Sequence, residues 1–301
     1  MNSNVVSQIT VLFLIMGIGW LARKKGWIDK GTINSFSHIL VNIALPSLLI
    51  SSFNHEYSKD MVYNARMIFI YSIIIHIVLI IISAFFAYKF DEDSKKVVKY
   101  VTVFSNAAFM AYPVIGGLYG KIGIFYAAIF NIPINIFMFT AGIIFFTGKR
   151  DTKTLKNIVS HPAILATFIG FGMYSLGIKL PNVLMNTFTT VGSMTTPMSM
   201  IFIGASLASS KINEIFSDKV AYYASFTRLI IAPIITFIVL RLFNADTILL
   251  QVSVLIEAMP AGALAPVLAE KYGANTSLAS KCVFITTILS IITIPLAVTF
   301  L

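Results

Sequence analysis

Ten stretches of this chain, each close to twenty residues and nearly free of charge, follow one another from end to end. They are residues 4–22, 33–53, 66–89, 99–119, 122–147, 161–178, 182–208, 219–242, 247–269 and 276–300. A helix needs about 20 apolar residues to cross a hydrocarbon core ~30 Å thick. Inside that core no water can satisfy backbone N–H and C=O groups, so a spanning segment must satisfy its own, as a helix does. The chain therefore reads as an all-α polytopic membrane protein with ten transmembrane helices. Composition closes off the soluble alternative. At 57% hydrophobic and 11% charged residues, there is too little polar surface to cover a water-soluble exterior.

The net charge of +10 comes without a basic stripe interleaved with aromatics, which excludes a nucleic-acid partner. Instead the cations mark the connections. One set holds Arg23, Lys24, Lys25, Lys30, Lys89, Lys95, Lys96, Lys99, Lys149, Arg150, Lys153, Lys156, Lys211, Lys219, Lys271 and Lys281. The other set holds only Lys59, Arg66, Lys121, Lys179 and Arg241. Connections rich in Lys and Arg stay in the cytoplasm. This bias and the even number of spans put both termini outside the cytoplasmic membrane. The first apolar segment lacks a basic leader and a small-residue cleavage site, and so reads as a span rather than a signal peptide. One cysteine, Cys282, excludes an intramolecular disulfide and cysteine metal clusters.

Matching residues recur at a nearly constant offset. Gly19 and Gly170, like Pro46 and Pro197, are 151 apart; His76 and Arg228 are 152 apart. Pro113 and Pro266, and the pairs Tyr119-Gly120 and Tyr272-Gly273, are 153 apart. This predicts a single transmembrane domain, 1–301, built by duplication. Residues 1–148 form the first repeat, 161–301 the second, and 149–160 a short basic cytoplasmic linker. Five spans per half force opposite orientations, the inverted-repeat plan of many secondary transporters.

Two repeat-related spans carry helix breakers. The fourth reads VFSNAAFMAYPVIGGLYGK, with Ser105, Asn106 and Pro113; the ninth reads QVSVLIEAMPAGALAPVLAEK, with Glu257, Pro260 and Pro266. Proline lacks an N–H, clashes with the preceding turn, and costs ~3 kcal/mol or more inside a helix. Free backbone groups at mid-membrane are tolerated only around a cavity or solute. The expectation is that helices 4 and 9 break and cross, helix 9 at Pro260 or Pro266. Two half-helix N-termini would then face one site and favour an anion.

Other polar residues sit inside spans. Glu257 is the one acidic residue in a span interior, and burial of a carboxylate at the bilayer centre costs at least ~2.5 kcal/mol. It must be protonated, paired or hydrated. Arg228 is the deep cation at similar depth, so a Glu257–Arg228 pair is expected, as a static tie or as part of substrate or proton coupling. Histidine as a residue type titrates near physiological pH, so His76 joins Glu257 as a proton-coupling candidate. Asn42 with Pro46 marks a polar kink in helix 2. Asn131 and Asn135, four apart, share one face of helix 5 that should turn away from lipid. There is no nucleotide-binding loop, nucleophile triad, metal-ligand cluster or ion-selectivity filter. The chain is not expected to be an enzyme, to bind a metal or to need a cofactor.

A resemblance adds to this. NIALPSLLISSF at 42–53, FSNAAFMAYPVIGGLYG at 104–120, HPAILATFIGFGMYSLGIKLP at 161–181, PMSMIFIGASLA at 197–208, RLIIAPIIT at 228–236 and MPAGALAPVLAEKYGANTSLAS at 259–280 together resemble the auxin efflux carrier family. That family includes proposed malate and malonate permeases in bacteria. Plant members carry a long hydrophilic loop between helices 5 and 6, and the short linker here points to a prokaryotic member. The resemblance implies crossed broken helices 4 and 9, a scaffold of helices 1, 2, 6 and 7, a moving unit of helices 3–5 and 8–10, and a homodimer. It also places Asn106 and Pro260 at positions that line the family's site.

The reading is a secondary carrier or uniporter of small organic anions, carboxylates such as malate, malonate or auxin-like acids, working as an elevator. The candidate substrate-binding residues are Asn42, Ser105, Asn106, Pro113, Asn131, Asn135, Arg228, Glu257 and Pro260. The rivals are a sodium-coupled symporter of larger, bile-acid-like anions and a membrane solute sensor that does not transport.

Overall fold

The computed structural model describes residues 3–56, 58–148, 161–208 and 218–301. The expected linker 149–160 and Lys211 lie outside the described residues. Those residues are helical, and no strand occurs among them. The first half holds α1 (Ser3–Lys24), α2 (Lys30–Ile39), α3 (Leu45–Ser52), α4 (Lys59–Ala87), α5 (Glu92–Val103), α6 (Ala111–Phe139) and α7 (Ala141–Thr147). The second holds α8 (Pro162–Ser175), α9 (Asn182–Ser193), α10 (Thr195–Ala208), α11 (Lys219–Phe226), α12 (Ala232–Leu242), α13 (Thr247–Ala258), α14 (Ala265–Lys271) and α15 (Thr276–Phe300).

Among the described residues, six helical runs are long and apolar enough to cross a membrane: Gly31–Ser52, Lys59–Ala87, Ala111–Thr147, Asn182–Ala208, Lys219–Leu242 and Thr276–Phe300. Pro162–Ser175 and Thr247–Ala258 are apolar but shorter. Large apolar side chains stand exposed along these runs, including Ile43, Ile81 and Phe85 at 52%, 65% and 69%. That is unsuited to water and suited to lipid. The chain is a polytopic membrane protein, all-helical among the described residues.

Local sequence explains the ends. Asp29, Asp91, Asp218, Asp246 and Asn275 each cap a helix by accepting a backbone N–H two or three residues on. At Asp91 the N–H and hydroxyl of Ser94 hold the carboxyl below its ordinary value. Hydrogen bonds from Thr32 do the same at Asp29. Gly120, at φ 60° and ψ −149°, interrupts α6, so the expected junction of spans 4 and 5 falls on a glycine that breaks the helix. Several expected loop cations are helical: Lys95, Lys96 and Lys99 lie within the helix Glu92–Val103. The helix α4 starts at Lys59, so Arg66 is an exposed helical residue instead of a loop cation. Lys281 lies inside α15, 3.1 Å from the Asp218 carboxylate at the start of α11.

Among the described residues two helices widen into single π turns, Leu40–Ala44 and Thr227–Ile231. Each is followed two residues later by a proline, Pro46 and Pro233. A proline ring collides with the carbonyl four residues back, here Asn42 and Leu229, both within the π turns. The wider turn relieves that collision without ending the helix.

The chain forms two compact units, each drawing on both halves of the sequence. The first comprises Met1–Met67, Tyr112–Ile129 and Val159–Ser209. In it α1 packs on α10 with main chain against main chain. A side chain on Gly204 would strike the Met16 carbonyl, and one on Gly19 would strike the backbone of Ile201. Small residues permitting such approach are the usual means of joining helices in lipid. The second unit comprises Ile68–Ala111, Phe130–Ile158 and Ser210–Leu301.

Candidate functional site at two broken helices

Two interruptions of helix stand out among the described residues of the second unit. One runs from Phe104 to Met110, between α5 and α6; the other from Met259 to Leu264, between α13 and α14. The second follows from Pro260. It cannot donate to continue the helix, and it drives the preceding residue to extended backbone; Met259 sits at φ −67°, ψ 152°. Pro266 occupies the first turn of α14, where a missing N–H costs nothing. Of the two expected breakers, Pro260 makes the break and Pro266 starts the next helix. Pro113 plays the same part as Pro266, in the first turn of α6. At the first break the chain is turned by Asn106. Its side-chain oxygen accepts the Phe109 N–H at 3.2 Å, and its carbonyl accepts from Met110 and Ala111.

The two breaks lie side by side as an antiparallel bridge, Ser105 opposite Ala261. The Asn106 N–H donates to the Pro260 carbonyl at 2.7 Å, and the Gly262 N–H to the Phe104 carbonyl at 3.0 Å. Neighbouring helices fix this pair. Asn131 on α6 donates to the Ala107 carbonyl at 3.1 Å, and Thr286 on α15 accepts the Ala261 N–H at 3.1 Å. Asn135 donates to the Asn131 carbonyl at 2.7 Å. Several polar atoms here stay unpartnered. They include the buried Ser105 Oγ, Asn131 Oδ1 and Ser253 Oγ, and the N–H groups of Ala107, Ala108, Ala263 and Leu264, of which Ala108 and Leu264 are exposed.

The last carbonyls of an α-helix lack intrahelical partners and carry its negative dipole end. Arg228 satisfies those of both broken helices. Set in the π turn Thr227–Ile231, it donates through one terminal nitrogen to the Thr102 and Val103 carbonyls at 3.0 and 3.1 Å. Through the other it reaches the Glu257 carbonyl and, at 2.5 Å, Glu257 Oε2. Four of the five guanidinium N–H donors are committed, and Nε is unpartnered. The Thr227 and Thr102 hydroxyls meet at 3.0 Å beside it. The other carboxylate oxygen, Oε1, lies 3.4 Å from His76 Nε2. His76 Nδ1 is 2.7 Å from the Ser72 carbonyl, and the ring stacks on Phe137 with centroids 5.9 Å apart. All three side chains are fully buried. A buried charge without a partner is expensive, and here each has one.

The structure thus brings together Ser105, Asn106, Asn131, Asn135, Pro260, Arg228, Glu257 and His76 in one unit. Asn42 and Pro113 belong to the other. Asn42 is exposed and donates to the His38 carbonyl at 2.8 Å. Pro113 lines a cavity of about 500 Å³ with Tyr112, Gly116, Gly117, Lys121 and Thr196. Sequence reading did not single out Ser72, Thr102 or Thr227. Ser72 lies one turn before His76, and that spacing was the available signal.

The profile of a membrane transport protein family matches residues 4–298. An uncharacterized transporter of Methanothermobacter thermautotrophicus is 24% identical over 298 residues, covering 96% of this chain and 95% of its own. The uncharacterized transporter YfdV of Escherichia coli (strain K12) is 20% identical over 305 residues, covering 97% and 96%. A proposed malonate transporter of Rhizobium meliloti (strain 1021) is 28% identical over 140 residues, 46% of this chain and 43% of its own. A helical membrane chain whose whole length matches one transport family belongs to it: this protein is a member of the auxin efflux carrier-type membrane transport protein family.

Proposed function

We propose that the protein carries small organic anions, dicarboxylates of the size of malonate, across the cytoplasmic membrane as a secondary carrier or uniporter. The observation that carries this reading is the pair of broken helices held against one another with backbone N–H groups left over. The free N–H groups of Ala107, Ala108, Ala263 and Leu264 are donors suited to carboxylate oxygens. Ser105 Oγ adds a buried hydroxyl with no partner of its own. Asn131 and Asn135 hold the first break in shape, and Pro260 holds the second open.

In this proposal Arg228 does not grip the substrate. Its donors serve the α5 and α13 carbonyls, and its charge acts on the anion through space. The partial match to a proposed malonate transporter supports the choice of substrate class. The ten-span inverted repeat, the homodimer, the external termini and the elevator motion form part of the same proposal. His76 and Arg228, related by the repeat offset, meet the same carboxylate, which supports the duplication.

A thermal-shift screen of purified protein against mono- and dicarboxylates, with and without sodium, tests the reading. Concentration-dependent stabilisation by malonate or malate without sodium is expected. Stabilisation only when sodium is present would move the assignment to the sodium-coupled class. A flat response to every acid would sink the anion reading.

A further inference from the structure

The His76–Glu257 contact has a chemical requirement of its own. A backbone carbonyl only accepts, so the 2.7 Å contact between His76 Nδ1 and the Ser72 carbonyl fixes a hydrogen on Nδ1. In the neutral ring Nε2 is then a bare lone pair. It faces Glu257 Oε1 at 3.4 Å, and an ionised carboxylate oxygen is also only an acceptor. Neither atom has another hydrogen-bond partner, and both side chains are fully buried. Two facing acceptors shut away from water are an unsatisfied pair, and one proton between them satisfies both. The charged groups acting on His76 are Glu257, from α13, and Arg228, from the π turn Thr227–Ile231. The Phe104, Phe130 and Phe137 rings also lie against the imidazole.

We propose that His76 Nε2 and Glu257 Oε1 form a binding site for one proton, and that this proton is the coupling ion of the carrier. Loaded, the cluster of Arg228, Glu257 and His76 has a net charge of +1, whichever of the two atoms holds the proton. Unloaded, it is neutral. The site sits directly behind the paired breaks, since Arg228 joins Glu257 to the Thr102 and Val103 carbonyls. Loading therefore adds positive charge beside the anion, and each ligand strengthens the other by the same factor. The proton comes from the solution the site faces on binding and leaves with the anion, with no other group changing state. The tautomer lock and the proton site stand without the carrier reading; only the coupling to anion rests on it.

Calorimetry of malonate binding, in two buffers of different ionisation enthalpy near neutral pH, counts the protons. Uptake of up to about one proton per malonate is expected, with affinity falling towards tenfold per pH unit on the alkaline side. H76Q and E257Q should bind malonate with no proton uptake. Binding by the wild type without proton uptake, or uptake unchanged in both variants, would overturn the proposal. Nitrogen NMR of the ligand-free wild type decides the matter even if malonate does not bind or the variants do not fold. His76 is assigned by elimination using substitutions of His38, His55 and His161. Nδ1 should stay protonated throughout while the Nε2 signal titrates. A bare Nδ1, or a ring that never titrates, rules the proton site out.

Discussion

At the scale of single residues, the second unit is built around a cation used as a double helix cap. Arg228 answers three main-chain carbonyls and one carboxylate from a fully buried position. Removing it leaves Glu257 ionised without its partner and strips two helix ends, so Arg228→Met should cost ~3–5 kcal/mol. Thermal unfolding in detergent reads this as a large fall in melting temperature. Adding Glu257→Gln to Arg228→Met should recover part of the loss, because the orphaned charge goes too; no recovery would deny the pairing its energetic role. Arg228→Lys should also fail, since a compact ammonium cannot span two helix ends. The sequence made part of this legible: two lone charges at matching depth in neighbouring spans point to a pair. The carbonyl contacts were hidden, because main-chain acceptors are identical in every residue and appear only where a helix ends.

At the scale of elements, the breaks and the π turns are both consequences of proline. Pro260 and Pro266 looked equivalent in sequence; what separates them is their distance from the preceding helix. Pro260 interrupts α13, and Pro266 falls in a first turn where its lack of an N–H does no harm. The break after α5 has no proline in it, and Asn106 makes the turn through its own side chain and carbonyl. Pro233 aims Arg228 indirectly, through the π turn it imposes. Pro233→Ala would let that segment return to an α-helix, and each residue of helix turns the following side chains by about 100°. Loss of the Arg228–Glu257 contact and of anion-induced stabilisation is expected; retained stabilisation would show that the π turn is incidental. In the first unit, Gly204→Val should drive α1 from α10 and cost ~1–3 kcal/mol, read as a lower melting temperature. Asp91 gives a pH-dependent case. Its carboxyl is held below the ordinary value, so its contribution is present above that value and lost as pH falls through the lowered one. The melting temperatures of wild type and Asp91→Ala should differ at neutral pH and converge in acid.

At the scale of the whole molecule, apolar runs and loop charge identified a helical membrane protein, and the motif set identified its family. The compact units were not legible in hydropathy or loop charge. Each gathers segments from both halves of the chain, whereas hydropathy alone cuts at the linker; groups that mix the halves were implied only by the family resemblance. Units of this kind follow from which helices pack, and hydropathy carries no information about that when every face is apolar. The paired breaks were legible as an expectation because backbone chemistry forbids unsatisfied groups in lipid unless something else meets them. The central claim is that those leftover groups meet a carboxylate. Counterflow in proteoliposomes tests it most directly: vesicles loaded with unlabelled malonate take up labelled malonate from outside. Wild-type protein should give a transient accumulation, abolished in Asn106→Ala although that variant remains folded. Uptake no faster than in protein-free vesicles, for malonate and for every other small carboxylate tried, would contradict the account.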